Sequence, residues 1–113
     1  MLMKKIQAKF YQNRNGKEPV KEWLLELSKE DRVIIGKDIA VVEFGFPIGM
    51  PVCRSLGNGF YEIRSNISSN RIARVIFVII DNCMILLHAF IKKSQKTPLI
   101  ELNLAKERAK ELK

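Results

Sequence analysis

The sequence predicts an α+β fold: a small, mostly antiparallel sheet with two N-terminal helices packed on it and a C-terminal helix. Two observations carry that expectation. Apolar residues recur at helical spacing before residue 45 and again after residue 97. Between these stretches, three segments rich in apolar and β-branched residues follow one another, separated by short turn sequences. Segregated helices and adjacent hairpin strands point to α+β and away from alternating βαβ units.

Ile6–Tyr11 reads as a first strand, and Asn13-Arg14-Asn15-Gly16 as the turn after it. Pro19 stands where a helix begins, and Val20, Trp23, Leu24 and Leu27 then form one apolar stripe. Trp23 is expected in the layer between helix and sheet. Ser28 with Asp31 resembles a helix start, continued by Ile35, Ile39 and Val42. Gly45, Pro47, Gly49 and Pro51 end that helix in an irregular loop. Gly57-Asn58-Gly59 is a turn before the strand Phe60–Asn66. Arg71–Ile80 and Met84–Ile91 suit central strands, joined by a tight turn at Asp81-Asn82. Thr97-Pro98 reads as an N-cap followed by proline, opening a helix with the narrow apolar seam Leu102, Ala105, Ala109 and Leu112.

The chain has 113 residues, enough for one domain with its own core. Cys53 and Cys83 stand in no metal-binding spacing, and with the lone His88 they do not supply a four-ligand zinc site. They read as reduced thiols. Met1–Lys5 is followed by polar residues, and neither Val75–Ile80 nor Met84–Ile91 is long enough to span a bilayer. The expected location is the cytoplasm.

The net charge is +8, and its distribution matters more than its total. Residues 51–96 contain Arg54, Arg64, Arg71, Arg74, Lys92, Lys93 and Lys96 against only Glu62 and Asp81. A concentration of one sign fits an anionic partner, phosphate above all, though a basic surface kept for solubility would look alike. The chain carries no Walker-type phosphate loop, no GxSxG and no paired carboxylates for two-metal chemistry.

The remaining candidates are cations on strands. Phe60, Glu62 and Arg64 share one face of their strand; Tyr61 and Ile63 share the other. Arg74, flanked by apolar residues, either pairs with an acid such as Glu62 or lines a solvated groove. His88 alternates with Leu86 and Phe90, as a satisfied structural histidine would. Such a set could cut RNA without a metal. The ribose 2′-OH attacks the adjacent phosphorus, guanidinium groups stabilise the phosphorane, and a lysine or histidine moves the protons. A sheet that only binds RNA would carry the same residues.

Four motifs extend this reading. Gly16–Leu24 follows G-x-x-P-V-x-E-W-L, and Arg54–Arg64 approximates K/R-x-L-x-x-G-L-Y-E-L-R. Arg74-Val75-Ile76-Phe77 follows R-[IV]-x-[YF], and Leu86–Pro98 follows L-L-H-x-F-x-K-K-[ST]-x-K-T-P. In that order the motifs resemble phage-derived HigB-like toxins of the RelE/HigB-like superfamily, and Ala105 to Arg108 fits the C-terminal helix pattern. The resemblance implies one RelE-like domain over residues 1–113. It implies the toxin of a type II toxin–antitoxin system, a ribosome-dependent, metal-independent mRNA endoribonuclease without cofactor. Its partners would be mRNA on the ribosome and a HigA-like helix-turn-helix antitoxin, in a toxin–antitoxin hetero-oligomer, with no membrane. Carried over by position, Arg64, Arg74, Lys92 and His88 would be catalytic. Arg54, Arg71, Lys93 and Lys96 would bind RNA. One departure stands out: many members carry a base-stacking tyrosine near the C-terminus, and this chain has no aromatic residue after Phe90. Two other readings share the fold: a non-catalytic RNA- or ribosome-binding module, such as an inactive prophage-derived relative, and a partner-dependent phage structural protein.

Overall fold

The computed structural model describes residues 3–91 and 97–112. In chain order the elements are β1 (Gln7–Phe10), α1 (Pro19–Leu25), α2 (Lys29–Gly45), β2 (Cys53–Gly57), β3 (Phe60–Ile67), β4 (Arg71–Ile80), β5 (Cys83–Ile91) and α3 (Leu99–Lys110). The strands form one sheet in the order β1-β5-β4-β3-β2. Only β1 against β5 is parallel; the other pairings are antiparallel. The predicted α+β architecture is the observed one.

Turn chemistry sets the hairpins. Asn58 and Gly59 adopt φ of 55° and 84° between β2 and β3, and Asp81 and Asn82 adopt 51° and 61° between β4 and β5. Two consecutive left-handed residues give the twist that two-residue hairpins require, and Asn, Asp and Gly tolerate that region best.

Two apolar layers sandwich the sheet. On one face, Val20 of α1 and Ile35, Ile39 and Val42 of α2 pack against Ile63, Val75, Phe77, Met84 and Leu86, with Trp23 half-buried beside them. On the other, Tyr11, Ile76, Leu87 and Phe90 lie under Ala105 of α3, with Ala109 and Leu112 against them. Burying the sheet on both faces explains why β4 and β5 read as nearly unbroken apolar runs.

Polar staples fix the helices to the sheet. The Ser28 side chain accepts from the Asp31 amide at 3.2 Å, capping α2. The buried Asp31 carboxylate then accepts from the Ser68 amide at 3.0 Å, the Ser68 hydroxyl at 3.0 Å and Arg71 Nη2 at 2.9 Å. These bonds, led by the one from the Ser68 amide, hold the Asp31 carboxyl below the usual carboxylate range. At the other end of α2, the Glu43 carboxylate accepts from the Ala8 amide at 2.8 Å, occupying a donor on the open edge of β1.

Three local expectations need correction. Cys53–Gly57, which the order of strand, two helices, three strands and helix left out, is a strand of its own. It is a short edge strand whose register shifts between Ser55 and Gly57, so it lacks a regular apolar alternation. Thr97 is not the N-cap of α3: Pro98 holds that position and its carbonyl accepts from the amides of Glu101 and Leu102. Finally, Leu86, His88 and Phe90 do not share a face. The β4–β5 register slips between Ile76 and Phe77, pairing Ile76 with His88 and Phe77 with Leu86. Leu87 is the extra residue, and the alternation reverses across it. Leu86 therefore packs under α1 and α2, whereas Phe90 packs under α3.

Among the described residues no helix is long and apolar enough to cross a membrane. Cys53 and Cys83 are both free thiols.

Candidate nucleic-acid interface

The α3-facing side of β2, β3 and β4 gathers four charges. Register places Arg64 directly opposite Arg74, and Glu62 directly opposite Arg54. Glu62 and Arg64 are two residues apart on β3, so both project to the same face. The result is three guanidinium groups around one carboxylate.

Burial divides them. Glu62 and Arg74 are fully buried, at 0% exposure each, whereas the Arg64 side chain keeps 12% and Arg54 is half-buried. Glu62 is held from two sides. Thr97 Oγ1 donates to its Oε2, and Arg64 Nε lies 4.0 Å from its Oε1. The Arg74 guanidinium is pushed below the ordinary arginine pKa. Burial is the main cause; Arg64 and Arg54 add to it, and the Glu62 charge opposes it. Of the two sequence alternatives for Arg74, the structure realises the enclosed one. Arg74 does not line an open groove; it sits beneath the surface beside Glu62.

Arg64, half-buried like Arg54, is the member of the cluster that borders open space. It lines a cleft of about 180 Å³ with Met50, Pro51, Asn66 and Ile72, and an adjoining one of about 140 Å³ with Asp38 and Val52. Asn66 continues the Glu62–Arg64 face by two residues and is exposed. Period-two alternation along β3 could have found Asn66 from sequence. Nothing could have found Thr97, whose neighbouring proline points to a helix cap instead.

The other predicted residues lie elsewhere. Arg71 is committed to Asp31 and Ser68 at the β3–β4 turn, where it closes a structural staple. His88 is bonded on both ring nitrogens. Its Nε2 is 2.9 Å from Glu101 Oε1, and its Nδ1 is 3.3 Å from Arg108 Nη1. Arginine only donates, so Nδ1 must accept and Nε2 must carry the proton toward Glu101. Arg108 also donates to the Leu87 carbonyl at 2.7 Å and sits over the Tyr11 ring at 5.7 Å. His88 thus ties α3 to β5. Both ring nitrogens are engaged by side chains of α3. Lys92, Lys93 and Lys96 lie outside the described residues. Among the described residues, no group of three or more His, Cys, Asp or Glu side chains is placed to hold a metal ion.

Chemically, the face offers a guanidinium at a cleft wall, two more close by, and the Asn66 amide beside it. Such a surface binds a phosphate by charge-assisted contacts and supports negative charge developing on it. A family model described as "Phage derived protein Gp49-like" matches residues 22–110 of the chain. No curated protein matches it.

Proposed function

Because the chain belongs to the phage-derived Gp49-like family, a RelE/HigB-like toxin family, we propose that it is the HigB-type toxin of a type II toxin–antitoxin system. In this reading it is a cytoplasmic mRNA endoribonuclease that acts on ribosome-bound messages and is restrained by a helix-turn-helix antitoxin of the HigA kind.

The observation that carries the reading is the Arg54–Glu62–Arg64–Arg74 cluster opening through Arg64 onto a cleft. Arg64 contacts the scissile phosphate, with Arg54 alongside. Arg74 acts from below as a positioning charge whose field offsets part of the Glu62 charge beneath Arg64. Asn66 orients the ribose or phosphate. The 2′-OH loses its proton and attacks phosphorus, the bond from phosphorus to the 5′-oxygen breaks to leave a 2′,3′-cyclic phosphate and a protonated 5′-hydroxyl, and Arg64 stabilises the charge that builds on the non-bridging oxygens. Lys92, Lys93 and Lys96 follow β5 directly in sequence; Lys92 is assigned to proton transfer, Lys93 and Lys96 to the RNA backbone.

The test is inducible expression in a bacterium, wild type beside Arg64→Ala, with mapping of message 5′ ends. Growth arrest with new cuts inside translated messages, lost in a folded Arg64→Ala protein, is the expected result. Equal cleavage by both proteins would refute the assignment. One observation favours the alternative of a non-catalytic RNA- or ribosome-binding module: His88 has both nitrogens engaged by α3. That reading predicts RNA binding that depends on Arg64, with normal growth and intact messages.

A further inference from the structure

The two clefts beside Arg64 meet. Both are lined by Pro51, Arg64 and Asn66; Met50 and Ile72 wall one end, and Asp38 and Val52 the other. Together they reach the lower end of the ~300–1,000 Å³ of ordinary small-ligand pockets. The phosphate contact proposed for Arg64 uses only the shared middle. The two ends differ in chemistry. One is apolar: Met50 is 57% exposed and Ile72 half-buried. The other holds a carboxylate. Asp38 lies on α2 just before the buried Ile39, which leaves it half-buried at the margin of the sheet. Among the described residues its side chain makes no hydrogen bond or ion pair.

We infer that these clefts hold the nucleobase next to the phosphate at Arg64, and that they select guanine. The inference rests on the toxin reading in taking RNA as the ligand. No aromatic side chain among the described residues lines either cleft, so a flat base rests on Met50, Pro51 and Ile72. A thioether suits that place, because it is flexible and makes favourable contacts with aromatic rings. Asp38 then decides which base fits. A carboxylate beside Arg64 repels an RNA backbone, so it does not serve general attraction. It only accepts, and it is satisfied by two donors side by side. Guanine offers them, N1–H and N2–H, on the edge that single-stranded RNA leaves open to a protein. Adenine and cytosine set a ring nitrogen lone pair beside their one amino group, and uracil flanks its N3–H with two carbonyls. Each of these would aim a lone pair at Asp38. Asn66 lines both clefts and has two N–H donors, so one reaches the ribose or phosphate while the other meets guanine O6.

The test titrates isotope-labelled protein with the four nucleoside 3′,5′-bisphosphates, which carry a phosphate on either side of the ribose. The methyl signals of Met50 and Ile72 and the side-chain amide of Asn66 report on the clefts. Guanosine bisphosphate should shift all three and bind about tenfold tighter than the others, the discrimination of one bidentate pair. Asp38→Asn, with its thermal midpoint measured alongside, should bring guanosine down to the level of adenosine. Met50→Ser should weaken all four ligands without changing their order. Equal affinity for the four, a guanosine preference that survives Asp38→Asn, or no shift at Met50 and Ile72 would overturn the inference. The titration involves no cutting, so it is separable from the nuclease reading. A guanosine preference lost in Asp38→Asn supports the subsite even in a protein that leaves messages intact. Equal binding of all four that depends on Arg64 removes the subsite and leaves the phosphate contact standing.

Discussion

Replacing Glu62 by glutamine keeps the side chain's shape and removes its charge from a site with 0% exposure. The Thr97 hydroxyl can still donate to the amide oxygen, so that bond weakens without vanishing. The larger loss is electrostatic: Arg74, equally buried, loses the carboxylate beside it. Removing one partner of a buried pair costs on the order of 3–5 kcal/mol, because the other charge stays desolvated. The retained Thr97 bond puts Glu62→Gln near the lower end, about 3 kcal/mol. With a urea m-value of ~2 kcal/mol/M, the unfolding midpoint falls by ~1.5 M. Glu62→Leu/Arg74→Met serves as the internal control. It removes both buried charges together and should lose less than Glu62→Gln does, since well-packed apolar replacements of a buried pair are often neutral. Urea titration followed by far-ultraviolet circular dichroism measures both. A loss under about 1 kcal/mol for Glu62→Gln, or a double variant less stable than the single, would refute the claim that the carboxylate neutralises a buried arginine.

Asp31 gives a pH signature. Its folded pKa is depressed, so its contribution is present above the unfolded value near 3.8 and is lost as pH falls through the folded value. Wild type should therefore lose stability more steeply below pH 4 than Asp31→Asn does; parallel curves would count against the staple. Arg71→Gln, which loosens the same staple, should lower the thermal midpoint and leave RNA affinity within twofold, whereas Arg64→Ala should do the reverse. For His88, long-range ¹H–¹⁵N correlation spectra should show the Nε2–H tautomer, and Glu101→Ala should increase amide exchange in α3. An Nδ1–H tautomer would contradict the Arg108 contact.

The layers of this fold were legible in the sequence because burial on both faces leaves a plain trace. Val20, Trp23, Leu24 and Leu27 mark α1, Ile35, Ile39 and Val42 mark α2, and the unbroken apolar runs mark β4 and β5. The hairpin at Asp81-Asn82 was legible for a similar reason: few residue pairs accept two left-handed conformations in succession. β2 was not, because a five-residue edge strand with a register shift has no periodicity to read. The bulge at Leu87 was invisible as well, since an all-apolar strand hides which side each residue faces. That concealment moved Leu86 away from His88 and made the histidine's surroundings unreadable.

The site divides along the same line. The shared face of Glu62 and Arg64 followed from alternation, and Arg74 from its isolation among apolar neighbours. Their arrangement did not follow, because it depends on register across three strands and on Thr97 arriving from the far end of the chain. Arg71 illustrates the limit from the other side. As a cation it was indistinguishable in sequence from Arg64, and only the buried Asp31 opposite it decides that it holds the fold together.

The most direct test of the central claim is the chemistry of the cut ends. Purified protein would be added to ribosomes programmed with a defined message, with wild type and Arg64→Ala compared in a single turnover. Attack by the 2′-OH predicts a 5′-hydroxyl on the downstream fragment, a cyclic or 3′-phosphate upstream, and no cutting where the scissile ribose is 2′-deoxy. Arg64→Ala should slow cleavage at least a hundredfold. A 5′-phosphate with a 3′-hydroxyl, cleavage at the deoxy position, or equal rates for the two proteins would contradict the account.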